Sequence, residues 1–275
     1  MPNSVLNAVH FYPVKSMAGC APGEAVVEPW GLAGDRRWII AGPDGRFITQ
    51  RQQPRLALAS ARPLPGGGVR LAAPGAGPLD VAVPAERDGL VTVEVFRDKV
   101  EAVPAGAEAD AWVSAFLGTE AQLLHMDDPS SRRPIDPGYA LPGETVSFAD
   151  GFPLLLTTTA SLRSLNSLIA LGESPEEGPL PMNRFRPNVV VDHTEPWAED
   201  DWRRVRIGEV TFRVVKPCGR CIVTTTDQHT AERGKEPLRT LAKHHRMGNS
   251  LVFGQNLIPE HTGVLRVGDA VEVLD

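Results

Sequence analysis

The chain has 275 residues, 42% hydrophobic and 23% charged, as expected of a soluble globular protein with one large or two smaller domains and a substantial core. A formal net charge of -6 argues against broad nucleic-acid binding, which favours a basic surface, so any positive charge that matters is local. Three cysteines make no disulfide framework and suit a reducing cytoplasm. The opening MPNSVLNAVHFYPVKSM shows no basic stretch ahead of a long apolar core, and no run of about eighteen apolar residues occurs, so neither a signal peptide nor a membrane anchor is expected.

Residues 5–14 read as an apolar strand ending near Tyr12-Pro13, with Lys15 and Ser16 at its exit. An ammonium and a hydroxyl there suit a phosphate or a pterin edge; an exposed lysine at a strand end is the bland alternative. Next, GLAGDRRWII is a glycine-rich turn feeding a strand in which Trp38, Ile39 and Ile40 are buried and Arg36 and Arg37 point to opposite sides. From 47 to 103, the short runs LALASARPL, VRLAA, LDVAV and VTVEVF, broken by Gly66-Gly67-Gly68 and Pro74-Gly75, predict an antiparallel sheet or barrel. Neither a dinucleotide fingerprint nor a P-loop is present.

Helical spacing of Ala111, Trp112, Ala115 and Phe116 predicts a short amphipathic helix ending at Gly118. Residues 127–143 are polar and proline-rich, the pattern of a functional loop or linker, and the boundary between a β-rich first region (1–125) and a second region (126–275) is placed there. A buried strand at 154–157 leads to a helix at 159–171. In NRFRPNVVV, an extended reading puts Arg184, Arg186 and Asn188 on one face opposite Phe185, a fork of donors plus an amide suited to a phosphate or a pyrimidine-like ring. The acidic run Glu199-Asp200-Asp201 reads as a solvated face, and His244-His245 as a surface helix end.

The stretch 210–230, VTFRVVKPCGRCIVTTTDQHT, organises the chain. Val210, Phe212 and Val214 alternate as a half-buried strand, Pro217 is expected to end its ladder, and residues 222–226 resume a β-branched run, so Cys221 is presented on a tight loop between two strands. A cysteine beside a fixed positive charge, here Arg220, ionises more readily, and the thiolate is the form that binds metal or attacks. Three readings of Cys218-Gly219-Arg220-Cys221 stand open: half of a zinc site, short of its other ligands; a redox pair, against which the following threonines argue as poor helix formers; and two buried cysteines acting as small apolar residues.

KPCGRCIVTTTD, KEPLRTL, FGQN and GVLRVGDAVEVL together resemble the molybdenum-cofactor-binding MOSC domain, in the branch of the mitochondrial amidoxime-reducing component and its bacterial relatives. YPVKSM, GDRRW, RQQPRLAL and NRFRPNVVV follow that branch in the same order, so the resemblance covers nearly the whole chain. It implies a mixed α+β, predominantly β fold: a β-barrel MOSC domain packed with an N-terminal β-rich domain whose first strands reach the shared site. It further implies molybdopterin with molybdenum, contacted by Lys15, Ser16, Arg36, Arg186, Asn188, Gly219 and Arg220, with Cys221 as the metal ligand and Cys218 in a supporting place.

The implied reaction is two-electron reduction of an N-hydroxylated small molecule, an amidoxime or hydroxylamine. Electrons would come from a separate donor, a ferredoxin or flavin reductase, because no four-cysteine ferredoxin spacing is present and no iron–sulfur cluster is expected in this chain. No nucleic-acid or membrane partner is expected. Gly151-Phe152 and Asn256 depart from the resemblance, the first from hydroxyl residues and the second from an aromatic, which bears on the substrate wall. Two other roles fit the same residues: a Cys221 persulfide that moves sulfur, since MOSC domains also end enzymes that sulfurate the cofactor, and a non-catalytic cofactor carrier.

Overall fold

The computed structural model describes residues 3–85 and 89–275. Among them no helix is long and apolar enough to cross a membrane. In the first part of the chain the strands are β1 (Val5–Val9), β2 (Glu24–Glu28), β3 (Gly31–Leu32), β4 (Trp38–Ala41), β5 (Ser60–Pro63), β6 (Val69–Ala73), β7 (Ala76–Val81), β8 (Val91–Val95) and β9 (Asp98–Pro104). Helix α1 (Ala107–Leu117) follows, stopped by Gly118 in the left-handed conformation that glycine adopts at least cost, and then comes β10 (Gln122–His125).

After the short α2 (Pro129–Arg132) the chain runs irregularly to β11 (Leu154–Thr158), α3 (Thr159–Ala170), β12 (Val189–Asp192), β13 (Arg204–Ile207) and β14 (Val210–Gly219). It closes with α4 (Leu238–His244), β15 (Arg246–Met247), β16 (Ser250–Pro259), β17 (Gly263–Arg266) and β18 (Val271–Val273).

The predominantly β architecture is the expected one. The largest sheet has eight strands in the order β1-β12-β11-β16-β14-β13-β18, with β15 paired to β16. A bridge between Val5 and Ala270, and the bond from Val271 N to Ser4 O, bring the two ends of this sheet together into a nearly closed barrel. Leu6, Val9, Val191, Phe212 and Leu257, each fully buried, fill its interior. The chain's first strand is therefore part of the C-terminal sheet, and β2 pairs with β17. The short β runs of the first region form two sheets, β5-β6-β7 and β4-β10-β9-β8, the former covered by α1 around Trp38, Val113 and Phe116.

Several local expectations differ from the structure. Pro217 does not end its strand: β14 continues to Gly219, because register shifts on both sides of the proline carry the pairing with β16 past a residue that has no N–H. Residues 222–226 are not a strand. The hydroxyls of Thr224 and Thr225 donate to the carbonyls of Cys221 and Ile222 and close a 3-10 turn over Ile222–Thr225. Arg184 lies within a 3-10 turn (Met182–Phe185) and Arg186 caps it in the left-handed conformation at φ 54°, so the two arginines do not share the face of an extended segment.

Candidate functional site

Cys221 leaves the end of β14 and faces a cavity of about 110 Å³ bounded by both halves of the chain. Lys15 and Ser16, just past β1, Arg36 from the turn before β4, Arg186 and Asn188 ahead of β12, and Gly219, Arg220 and Cys221 all line it. Segments remote in sequence are thus brought to one wall.

Lys15 is buried, and its Nζ donates to Phe148 O at 2.7 Å and to Asp150 at 2.6 Å. Burial pulls its pKa down to about 8, against the opposing pull of Asp150. Asp150 remains well below the ordinary carboxylate range: burial works to raise it, and Lys15 and Arg51 outweigh that. Ser16 adopts φ 71°; its carbonyl accepts from Gln50, while its hydroxyl makes no hydrogen bond to another described residue. Arg36 stands in a turn at φ 47° rather than on a strand, bonded to Asp35 at 2.6 Å, Asn188 at 3.0 Å and the Arg186 carbonyl at 3.3 Å.

Arg186 donates through Nη1 to Met17 O at 2.7 Å, while its Nη2 is buried without a partner; burial lowers its pKa to about 10. Asn188 lines the cavity, but its amide is engaged by Arg36, Leu155 N, His10 O and Asp35, so it serves to hold Arg36. Arg184 turns away, binding Thr225 O at 2.9 Å and Asp227 at 2.8 Å, and so clamps the turn that follows Cys221.

Sequence adjacency points to the wrong partner for Cys221. The Arg220 guanidinium donates to Cys218 Sγ at 2.9 Å and to Phe185 O at 2.6 Å, leaving Nε buried and unpartnered. The cation bonded to Cys221 is Arg51, with Nη2 3.5 Å from Sγ and 3.7 Å from Asp150. Arg51 escapes a sequence reading because it comes from a turn in the first region, held there by Arg233, which bonds the carbonyls of Gln50 and Arg51. Its one local signal is its place just ahead of Gln52-Gln53-Pro54 in RQQPRLAL.

Among the described residues no three His, Cys, Asp or Glu side chains gather where they could hold a metal ion, and the turn after Cys221 is not the start of an α-helix. The zinc reading therefore finds no further ligands among the described residues, and the redox-pair reading lacks the helix it calls for. A metal at Cys221 would take its remaining ligands from a bound group.

Comparison with known proteins fits this geometry. Residues 3–120 match the MOSC N-terminal beta barrel domain and residues 143–272 the MOSC domain. The chain belongs to the MOSC family. It is 35% identical to mitochondrial amidoxime-reducing component 1 of Danio rerio over 88% of this chain and 75% of the relative, and 32% identical to the Homo sapiens protein of that name over 96% and 81%. Molybdenum cofactor sulfurase of Danio rerio is 32% identical over 86% of this MOSC chain, which spans 30% of the sulfurase.

An anionic, phosphate-bearing cofactor fits the cavity on two grounds. Lys15, Arg36, Arg51, Arg186 and Arg220 face Asp150 as the sole acidic side chain among its described lining residues. The buried nitrogens Arg186 Nη2 and Arg220 Nε also lack acceptors, which leaves donor capacity to satisfy.

Proposed function

We propose that this MOSC protein binds the molybdenum cofactor at Cys221 and reduces N-hydroxylated small molecules of the amidoxime or hydroxylamine type, with electrons from a separate donor protein. The observation that carries this reading is the convergence of basic groups from distant segments on a cavity that holds the Cys221 thiol. The names of the relatives support the substrate class.

When bound, the cofactor supplies the two-electron oxygen-transfer chemistry. Cys221 offers a soft sulfur to the metal, and Arg51 sits where it can hold that sulfur in place. Lys15, Ser16, Arg36, Arg186 and Arg220 offer donors to the anionic parts of the group, and Gly219 puts bare main chain on the wall. Asp150 pairs with Lys15 at 2.6 Å and with Arg51 at 3.7 Å, balancing two of the cations on the wall.

Elemental analysis of protein made in a molybdenum-replete host should find about one molybdenum per chain, lost in Cys221→Ala, and the loaded protein should reduce benzamidoxime with an artificial donor. The similarity to cofactor sulfurases favours a second reading, sulfur carried on Cys221. Metal-free, folded protein with labile sulfane sulfur would select it. Bound cofactor without turnover would select a carrier.

A further inference from the structure

A second, larger cavity of about 690 Å³ adjoins the first, sharing Asp150, Gly151, Phe152, Cys218, Gly219 and Asn256 with it. Its far side is built from Phe96 to Asp98 at the β8–β9 turn, residues 133–137 of the irregular segment, and Lys216 of β14. On the proposed function this is the chamber through which a substrate meets Cys221, so its charges bear on which substrates are chosen.

Those charges are mostly cancelled. Arg133 bonds Asp98 at 2.8 Å, and Asp150 is held by Lys15 at 2.6 Å. Asp136 accepts from the main chain of Gly138 in its own turn. Arg97 is exposed in the β8–β9 turn and makes no ion pair or hydrogen bond with another described residue. Lys216 is different. Among the described residues its Nζ has no carboxylate partner, yet it is held 4.5 Å from the Tyr139 ring and 6.0 Å from that of Phe152, which pack edge to face at 5.6 Å.

The backbone shows how Lys216 arrives there. Val214 pairs with Leu257, but Lys216 pairs with Asn256, so one extra residue, Val215, bulges from β14. Without the bulge Lys216 would follow Phe212 and Val214 toward the barrel interior. With it, Lys216 joins Asn256 on the cavity face, and Asn256 Nδ2 donates to the Lys216 carbonyl at 3.1 Å.

We propose that Lys216 selects, within the class of N-hydroxylated substrates, molecules that carry a carboxylate at the end remote from the N–OH group, the organic body lying along Phe152 and Phe96. This rests on the proposed function for the class of substrate, and on the cavity alone for the carboxylate.

The test separates the two. Binding of 4-carboxybenzamidoxime and of benzamidoxime to the purified protein is measured calorimetrically with no electron donor present, so that no turnover intervenes. The carboxylate should bind at least tenfold tighter, about 1.4 kcal/mol. That ratio should collapse toward one in Lys216→Met, persist in Lys216→Arg, and shrink as salt is raised. A ratio near one in the wild type, or an undiminished ratio in Lys216→Met, overturns the proposal. Should Lys216→Met fail to fold, the wild-type ratio and its salt dependence decide alone. Selective binding followed by no reduction when a donor is added would uphold the role of Lys216 and refute the reductase.

Discussion

Tyr12 carries two guanidinium groups against its ring, Arg36 at 4.3 Å from the centroid and Arg186 at 4.1 Å, and its hydroxyl donates to Pro187 O at 3.1 Å. Burial pushes its pKa up to about 12, the two arginines pulling the other way, so the phenol stays neutral and remains a donor. One buried ring thus sets the place of two of the cations facing Cys221. Tyr12→Phe removes only the hydrogen bond and should cost about 1 kcal/mol in urea unfolding, with metal content kept. Tyr12→Ala should cost about 3–5 kcal/mol and release both arginines, so that molybdenum content falls as well. Equal metal retention in the two variants would show that the ring does not seat the arginines. In the sequence Tyr12 marks only where the first strand stops, since its partners at 36 and 186 are set by folding.

The elements behind the cavity hold charges that a reading by segment puts on the surface. Of the run Glu199-Asp200-Asp201 only Asp201 is exposed: Glu199 is fully buried in the 3-10 turn Ala198–Asp200 and accepts from Ser161 at 2.8 Å, while Asp200 bonds Gln255 of β16 at 2.8 Å and His245 at 2.7 Å. His244 is exposed as expected, but His245, just past α4, stacks on Trp197 at 4.0 Å and places its other nitrogen on Val252 O. Helices α1 and α3 were legible from their own periodicity; these contacts were not, because they join elements that no local pattern relates. Both partners of the His245 ring, Val252 O and Asp200, are acceptors, so only the imidazolium satisfies both at once. Burial works to lower its pKa, and the bonds to Asp200 and Val252 O outweigh that and raise it above 6.5. Burial likewise raises Glu199 above 4.5. Both groups bind protons more tightly folded than unfolded, so the stability they contribute falls as pH rises. The His245 share is whole below about 6.5 and is lost as pH climbs through the folded value. His10 and His125, whose pKa values burial lowers, work the other way, so the His245 share is read as a difference. In urea unfolding from pH 5.5 to 8.5 the stability gap between wild type and His245→Gln should narrow as pH rises. An unchanged slope in that variant would place the linkage elsewhere.

At the scale of the molecule, the cavity belongs to neither half. Lys15, Ser16, Arg36 and Arg51 come from the first region, and Arg186, Asn188 and the Cys218–Cys221 loop from the second. The ordered motifs made most of this set readable, because cation-bearing and thiol-bearing stretches could be quoted with their neighbours. Arg51 and Asp150 were not singled out, because their place at Cys221 depends on how the halves meet. That meeting is structural as well as chemical. β1 pairs with β12, β2 with β17, and Arg233 reaches back to the turn at Gln50 and Arg51. If the second region melted first, β1 and β2 would lose their sheet partners and expose Leu6, Val9 and Val27, all fully buried, so separate melting would carry a cost for both regions. Calorimetry should accordingly record one transition whose van't Hoff and calorimetric enthalpies agree. Cleavage in the exposed segment 136–143 should leave the two pieces associated on gel filtration. Two resolved transitions, or pieces that part on nicking without denaturant, would mean that the regions fold independently and that the cavity between them is assembled only after each is complete.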